Sequence, residues 1–418
     1  MNKLFFKVKL LILIFLISSP SFALSEDFRS WKILVYMQAD NDLFKYAQED
    51  LNEMYSASIS SFSKVMVELD TPGSKGISRF SVFSEFKNTP FAQVDVPMTP
   101  LKVIGENDFS QKMRLLNFIV ESEQMYPTDH TMLVIWGNGE GFSRDQMAQF
   151  GAVAIDHYPH LNKLSMGNIA ENLKTYQEIF NKKIDILAMD ACPLQTLEVA
   201  YELKDVTDFI IGSTQVKNFS GLPYDFIIPS LDEGLSPYKL AKKIPYFFEK
   251  MATTNNPLDT QTVSTINQKE LSLVFILELE KLAKIMLKDF SENPHQRTDF
   301  LEKLNELPFL LGENRDLSTL LATFESYYYN LGQRDLILEQ IRITRQALSQ
   351  SLTAYYVGSA YSNDLRIDLG AFKGFGVWFP TTYEAYLGNI KAFNNSRLFK
   401  ELKTWPKLIL KLYGLEVF

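Results

Sequence analysis

Two loops of the sequence carry groups that could do covalent chemistry. The first contains Gly137, Asn138 and Gly139 and directly follows the apolar run "HTMLVIW". Alternate glycines give the backbone unusual conformational freedom and let a ligand approach closely. The second loop follows the run "KIDILAMD" and holds Cys192, whose thiolate form is a nucleophile. These residue types predict a thiol nucleophile and a loop that the backbone of a ligand can approach.

Simpler interpretations of both loops stay open. The glycine loop lacks the Gly-Lys-Ser/Thr ending of a P-loop and the spacing of a dinucleotide-binding loop, which disfavours phosphate binding. A tight turn without function would use the same glycines. Cys192 is the single cysteine of the chain, so it can form no internal disulfide. A lone cysteine is also commonly a small buried hydrophobe.

Alternating strands and helices are predicted to position these loops. Up to about residue 235, segments of helical spacing separate apolar, β-branched runs such as "WKILVYMQ", "SKVMVELD", "HTMLVIW", "KIDILAMD" and "DFIIGST". This alternation indicates a mostly parallel sheet covered by helices on both faces. Ligands bind beyond the carboxyl ends of the strands in such sheets. Asn138, Cys192 and Ser213 all follow predicted strand ends.

The chain divides into three predicted parts. Residues 1–23 combine three lysines, the apolar run "LLILIFLI" and small residues near the end, which is the layout of a secretory signal peptide. Residues 24–235 form the predicted α/β domain. Residues 236–418 contain longer helical segments and fewer strands, and they are predicted to form a helix-rich subdomain packed on the first.

Charge and hydropathy narrow the classes of partner. The formal net charge is −8, and removal of the three signal lysines changes it to −11. An acidic surface argues against nucleic acids and anionic membranes as partners and is compatible with basic ones. No later segment is apolar for long enough to cross a bilayer. We therefore expect an exported protein, periplasmic or extracellular, without membrane association after signal removal.

Taken together, the two loops resemble those of the clostripain family of cysteine peptidases, which have a caspase-like α/β/α sandwich fold. The family pattern is a strand ending in His-Gly, a spacer, and a strand ending in Asp-Ala-Cys, here residues 190–192. Other stretches that resemble the family are "WKILVYMQADNDL", "LEVAYELKD", "GSTQ", "GLPYDF" and "FGVWFP". The resemblance covers nearly the whole mature chain.

The resemblance implies a role for each residue of the two loops. Cys192 would be the nucleophile, and the backbone amides of Gly139 and Cys192 would form the oxyanion hole. Asn138 occupies the position of the catalytic histidine. An imidazole exchanges a proton near neutral pH, whereas a carboxamide cannot carry a proton between groups. Loss of a general acid–base removes roughly 10²–10⁴ in rate, so hydrolysis should be weak or absent.

Two functions of different classes follow from this substitution. In the first, the protein is a pseudopeptidase that binds peptides or proteins without effective hydrolysis. In the second, it is an active cysteine endopeptidase that cleaves after Arg or Lys, with His157, His160 or water in place of the missing base. Both histidines follow a short predicted strand after the glycine loop, where a solvated loop is the plainer interpretation. The chemistry of Asn138 favours the first function.

The resemblance also implies a pocket for basic side chains, with four substrate-binding residues: Asp190, Ser213, Ser220 and Leu222. Asp190 matches an acidic position of the family. Ser220 stands where a second acid often precedes the glycine, and Leu222 stands where the family usually has Trp. One acid and a less aromatic wall predict a weaker pocket. Alternatively, Asp190 is structural and holds the nucleophile loop through bonds to backbone N–H groups.

No metal centre or other cofactor is predicted. Calcium enters only as an implication of the resemblance. Asp40, Asn41 and Asp42 are rich in oxygen ligands for a hard cation, but they are equally suited to a helix N-cap and turn. His157 and His160 have no accompanying cysteine or third histidine that would complete a zinc site.

Overall fold

The computed structural model describes most of the chain, in the ranges 29–57, 63–72, 77–82, 102–103, 111–141, 152–156, 162–191, 193–215, 221–255, 261–307, 310, 314–332, 335–358, 372–380 and 382–413. Five of the sequence predictions lie outside these ranges: the signal peptide, His157, His160, Cys192 and Ser220. Within them, no helix has both the length and the hydropathy that a bilayer span requires.

The strands of the described chain fall into three sheets. Their bounds are β1 Trp31–Gln38, β2 Lys64–Asp70, β3 Ile77–Val82, β4 Lys102–Val103, β5 His130–Trp136, β6 Gly139–Gly141, β7 Ala152–Asp156, β8 Asn162–Ser165, β9 Ile184–Asp190, β10 Thr207–Gly212, β11 Thr262–Asn267, β12 Asn314–Asp316, β13 Leu352–Val357 and β14 Gly376–Trp378. The main sheet has the order β13-β11-β10-β9-β5-β1-β2-β3-β4. Strands β6, β7 and β8 form a small sheet, and β12 pairs with β14.

Helices connect and cover the strands. Their bounds are α1 Phe44–Ser56, α2 Gln111–Met125, α3 Met166–Phe180, α4 Leu197–Glu202, α5 Tyr224–Ser230, α6 Pro237–Asn255, α7 Ile276–Glu292, α8 Pro294–Asn305, α9 Leu317–Leu331, α10 Asp335–Ser351, α11 Tyr383–Asn395, α12 Arg397–Glu401 and α13 Trp405–Leu412. A π-helical turn at Leu271–Phe275 leads into α7.

The five central strands, β2, β1, β5, β9 and β10, are parallel to one another. The strands beyond them on both sides, β3 and β4 at one edge and β11 and β13 at the other, pair antiparallel. Parallel neighbours need crossover connections, and α1, α2, α3 and α4 lie between the central strands in the chain. The predicted mostly parallel α/β/α sandwich is therefore confirmed.

Successive residues of the central strands point to opposite faces of the sheet and so enter two different cores. In β1, Ile33 and Val35 belong to one apolar cluster, whereas Leu34 and Tyr36 belong to the other. Because helices cover both faces, the central strands are largely apolar, and every residue of β1 is buried.

The C-terminal part of the chain extends the first part. Strands β11 and β13 continue the main sheet beyond β10. Residues of α7, α9, α10 and α13 belong to the same apolar cluster as Leu34 and Leu187 of the central sheet. Strands from both sides of residue 235 share one sheet. The division into two parts at that residue stays a sequence prediction.

Candidate active site

The glycine loop and the nucleophile loop leave the sheet at the same edge. Strands β5 and β9 are neighbours, with Trp136 paired to Asp190 at their carboxyl ends. Just beyond, the Gly137 amide donates to the Asp190 carbonyl at 3.3 Å. Gly137 has a φ of 143°, a conformation that favours glycine over other residues. The register thus brings Asn138 and the Asp190–Ala191 segment to one edge of the sheet.

Asn138 contacts an acid from a different strand end. Its Nδ2 donates to Asp42 Oδ1 at 3.2 Å, and Asp42 lies in the loop after β1. The carboxamide is partly exposed, as is the neighbouring Gly139. Gly139 is held from the other side, since it pairs with Val153 of β7. Asn138 is therefore accessible beside a loop whose backbone is fixed.

The nucleophile loop is fastened on both sides of Cys192. Ala191, before it, is buried. After it, the amides of Leu194 and Gln195 both donate to the Ser213 carbonyl at 3.0 Å. The loop is thus bound to the end of β10, and Cys192 itself lies outside the described residues.

The helix after Cys192 is shorter than the sequence pattern "LQTLEVAYELK" predicts. Helix α4 begins at Leu197, five residues after Cys192, and has only six residues. Its N-cap is Thr196, whose hydroxyl accepts from the Val199 amide. The field of a helix terminus decreases over about one turn, so a short helix that starts five residues after Cys192 contributes little to stabilising a thiolate there.

The predicted substrate residues Ser213 and Leu222 have buried side chains. Ser213 is fully buried, and its hydroxyl lies 3.1 Å from Thr262 Oγ1 and donates to the Gln215 carbonyl at 3.0 Å. Leu222 is 1% exposed and packs in the apolar cluster beneath the loop. In this conformation the Ser213 carbonyl, rather than its hydroxyl, fastens the nucleophile loop. The substrate-binding roles of both residues stay predictions.

Asp190 binds the loop that contains Leu222. Its Oδ2 accepts from the Leu222 amide at 2.9 Å and lies 3.3 Å from the Tyr224 hydroxyl, which donates to it. The carboxylate is 7% exposed. A hydrogen bond from a backbone N–H group to Asp190 is the kind of contact that a structural role predicts. It holds the 221–224 loop, however, rather than the nucleophile loop. Contact with a substrate stays a prediction.

Sequence reasoning missed a second acid, Asp50, which contacts both the end of β5 and the 221–224 loop. Asp50 of α1 is 1% exposed, and its Oδ2 accepts from Trp136 Nε1 at 2.6 Å. Gly221 rests against the same carboxylate, because a Cβ atom there would lie 2.6 Å from Asp50 Oδ2. Its φ of +59° also favours glycine. A signal was available, since Asp50 lies on the helix face that carries Ala47 and Met54.

Burial and neighbouring acids raise the pKa of two groups in this region, Glu53 and Tyr224. Burial, and then the negative charge of Asp225, raise the pKa of Glu53 from 4.5 to about 7, with a further contribution from Asp190. Burial also raises the pKa of the Tyr224 hydroxyl well above 10.0, and Asp190 and Asp50 add to this. A cationic ligand beside these groups would reverse this effect, because a positive charge favours the carboxylate form.

The described histidines lie away from the glycine loop. His130 begins β5, seven residues long, at whose other end Trp136 precedes the loop. Its Nδ1 is 3.0 Å from Asp185 Oδ1. About 20 Å of strand therefore separates it from Asn138. His295 is exposed on α8.

The stretch from Asp40 to Asp42 forms a turn. Asn41 Oδ1 accepts from the Leu43 amide at 2.9 Å, and Asn41 Nδ2 donates to the Gln38 carbonyl. The N-cap of α1 is Leu43, with no capping side chain, so the expected N-cap is wrong and the expected turn is confirmed. In the described ranges, no three His, Cys, Asp or Glu side chains form a group suited to a metal ion.

The fold and the site define a class of protein. A site that could carry out catalysis here would have a thiol after the end of β9, opposite the loop after the end of β5. Both strands belong to a caspase-like sheet. A secreted C11 cysteine protease from Bacteroides thetaiotaomicron, crystallised with an irreversible peptide inhibitor, matches this structure with a TM-score of 0.64. The two share 18% identity over 90% of this chain and 99% of that one.

A second relative has the same architecture. An inactive zymogen of a C11 protease from Parabacteroides distasonis matches with a TM-score of 0.59 and 17% identity, over 90% of this chain and 98% of that one. At these identities the likeness shows the fold. The comparison with curated proteins finds no match.

The family follows from the sequence. The sequence profile of the clostripain family matches residues 35–408. Because this match spans most of the chain, the chain belongs to the clostripain family of cysteine peptidases. The resemblance inferred from the loops is thereby confirmed.

Proposed function

We propose that the protein is a clostripain-family pseudopeptidase that binds peptides or proteins in the cleft between the two loops and hydrolyses them weakly or not at all. The observation that carries the proposal is the side chain of Asn138. It follows the end of β5 and donates to Asp42, and a carboxamide cannot take the proton of a thiol. Neither described histidine lies near it.

Acidic groups support a ligand with basic side chains. Asp42 contacts Asn138, and Asp50 contacts Trp136 at the end of β5. Asp190 contacts the 221–224 loop, and the charges of Asp190 and of Glu53 on α1 repel each other. Burial first, and then the negative charge of Asp225, raise the pKa of Glu53 to about 7, so a positive charge nearby would favour its carboxylate form. An Arg or Lys side chain would supply the missing positive charge.

Export is part of the same proposal. The three-part layout of residues 1–23 supports it, and the Bacteroides relative is described as secreted. The protein would then meet its ligand in a periplasm or outside the cell. Mass spectrometry of the protein recovered from a periplasmic or culture fraction should give a mature N-terminus near residue 24, and an intact Met1 in that fraction would contradict export by this signal.

The test restores the missing group. A fluorescent peptide containing Arg and its citrulline counterpart are offered to the wild type and to Asn138→His, and both binding and cleavage are measured. We expect the wild type to prefer the Arg peptide without cleaving it. Asn138→His should cleave after Arg, because Asn and His have similar reach from the backbone.

Two controls give this result its meaning. Cys192→Ala in the Asn138→His background should abolish the gained cleavage and leave binding intact. Rapid wild-type cleavage that Cys192→Ala abolishes would overturn the pseudopeptidase. Asn138→His that stays inert, with peptide binding retained, would indicate a cleft reshaped for binding.

The second candidate function is an active endopeptidase with a substitute base, and one observation favours it. Gly139 pairs with Val153 of β7, so the strand that ends at Asp156 lies against the glycine loop. His157 is the next residue. An active endopeptidase of this kind would lose its cleavage after Arg or Lys in His157→Ala or His160→Ala. Cleavage that survives both substitutions would exclude the two histidines.

A further inference from the structure

A groove on the C-terminal helices concentrates positive charge on an otherwise acidic protein. It has a volume of about 440 Å³ and lies between α9 and α10, beside the start of β13. Among the residues that the structure describes, Arg342, Arg345 and Lys373 line it together with one carboxylate, that of Glu325. The whole chain has a formal charge of −8, so the positive charge of this groove is opposite in sign to the net charge of the protein.

Glu325 holds the two arginines in place with one oxygen each. Arg342 Nε donates to Glu325 Oε1 at 3.1 Å, and Arg345 Nη1 forms an ion pair with Glu325 Oε2. A guanidinium has five N–H donors, so one bond to Glu325 leaves several donors on each arginine. Their spacing of three residues puts both on one face of α10.

Lys373 is fixed at the opposite wall. Its ammonium group donates to the Tyr355 hydroxyl at 2.7 Å and lies 4.1 Å from the centre of that ring. Its backbone amide donates to the buried carboxylate of Asp316 at 3.1 Å, beside the Gly374 amide at 2.9 Å. Such fixed groups lose less conformational entropy when a ligand binds than free surface lysines would.

We propose that this groove binds a small multivalent oxyanion, a polycarboxylate or a polyphosphate. Guanidinium groups match the planar geometry of carboxylate and phosphate oxygens, and two of them beside an ammonium group suit a ligand with more than one negative charge. Ser318 and Ser349 add neutral hydroxyl groups, and Leu348 and Leu352 contact the apolar part of a ligand. The volume suits a small molecule.

The test titrates the intact protein with citrate and, separately, with pyrophosphate at constant ionic strength, by calorimetry and by the shift in Tm. We expect saturable binding of one anion per chain, and the tighter of the two identifies the source of the oxyanion. The double variant Arg342→Gln/Arg345→Gln should weaken that binding about tenfold or more, since it removes two charge-assisted hydrogen-bond donors. Lys373→Gln should weaken it by a smaller factor.

A matched control removes the same charge elsewhere. Lys281 and Lys288 on α7 are 61% and 75% exposed, and each pairs with a glutamate of its own helix. Lys281→Gln/Lys288→Gln should bind both anions as the wild type does. Equal loss in the two double variants, or no saturable binding of either anion by the wild type, would overturn the proposal.

Discussion

At the amino-terminal end of β1, the buried acid Glu123 faces two lysines, whereas two buried acids beside the carboxyl-terminal ends of β5 and β9, Asp50 and Asp190, accept from neutral donors. Lys32, fully buried at the start of β1, forms an ion pair with Glu123, which also accepts from Lys182 and from the Tyr176 hydroxyl. At the other end, Asp50 accepts from an indole, and Asp190 accepts from an amide and a phenol.

The difference appears in the directions of the pKa shifts. Lys32 and the Tyr176 hydroxyl lower the pKa of Glu123 against the opposing effect of burial, so Glu123 stays ionised. At the site, burial and neighbouring acids raise the pKa of Glu53 to about 7. A buried acid with cationic partners stabilises the fold, whereas we expect acids whose described donors are neutral to attract a cationic ligand. The contrast distinguishes the strand ends that contribute to stability from those at which we propose that a ligand binds.

The largest expected effect tests the compensated end. Lys32→Met keeps the length and removes the charge, which leaves Glu123 buried with fewer partners. We expect the free energy of unfolding in urea to fall by about 3 kcal/mol, since breaking a buried pair leaves an uncompensated charge. Lys183→Met is the control, because Lys183 is partly exposed and lies 3.9 Å from Asp208. A loss below about 1 kcal/mol would mean that Lys182 alone compensates Glu123.

The next effect tests the junction at Asp50. Gly221→Ala would add a methyl group 2.6 Å from Asp50 Oδ2 at a φ of +59°. We expect a loss of about 2 kcal/mol in stability, from backbone strain and the clash, together with weaker binding of the Arg peptide. Gly388→Ala is the control, because nothing lies within 4 Å of a Cβ there and it sits within α11. That change should stabilise slightly. A Gly221→Ala protein as stable as the wild type would contradict the close approach.

The same junction shows what the sequence could and could not predict. The apolar runs ending at Trp136 and Asp190 predicted both strand ends, because local periodicity is sufficient for that. The rule for parallel sheets placed both loops at the carboxyl ends of the strands, whereas the pairing of β5 with β9 was not predicted. The contact of Asp50 with Trp136 and Gly221 joins residues 86 positions apart or more, and no local pattern specifies such pairs.

Side-chain direction was equally hard to predict. The sequence located Ser213 after a predicted strand end, and the family resemblance placed Leu222 in the substrate pocket. Their side chains are buried, because Thr262 of β11 approaches Ser213 and the apolar cluster takes up Leu222. Both neighbours come from distant parts of the chain. Strand β11 lies in the part of the chain predicted as a helix-rich subdomain, and no local pattern indicated that it joins the main sheet.

A smaller effect concerns pH at the uncompensated end. Because the pKa of Glu53 is raised from 4.5 to about 7, the folded state holds a proton that the unfolded state has lost between these values. This group's contribution to stability therefore falls as pH rises from about 4.5 to 7. Glu53→Gln should remove that part of the fall in urea unfolding measured at several pH values, with a slope difference of at most about 1.4 kcal/mol per pH unit.

The controls for Glu53 separate charge from binding. Glu178→Gln removes an exposed acid from α3 and should leave the pH dependence of stability unchanged. The wild type should also bind the Arg peptide more tightly at pH 8 than at pH 6, and Glu53→Gln should reduce that difference. Equal pH profiles for wild type and Glu53→Gln would mean that Glu53 titrates near its ordinary value.

The smallest expected effect on stability is that of replacing Asp42. This prediction depends on which atom of residue 138 donates to Asp42. In Asn138 the donor to Asp42 is Nδ2, and in a histidine at that position Nδ1 branches from the same carbon. In the Asn138→His background, Asp42 would therefore accept from the imidazole, orient it and raise its pKa. Asp42→Ala alone should change stability by no more than about 0.5 kcal/mol, because the contact is exposed. In Asn138→His it should reduce cleavage about tenfold and move the acidic limb of the pH–rate profile to lower pH. Glu49→Ala, which removes an exposed acid from α1, should leave that limb in place. Equal shifts from both substitutions would assign the effect to the general negative field of the cleft rather than to the bond from residue 138.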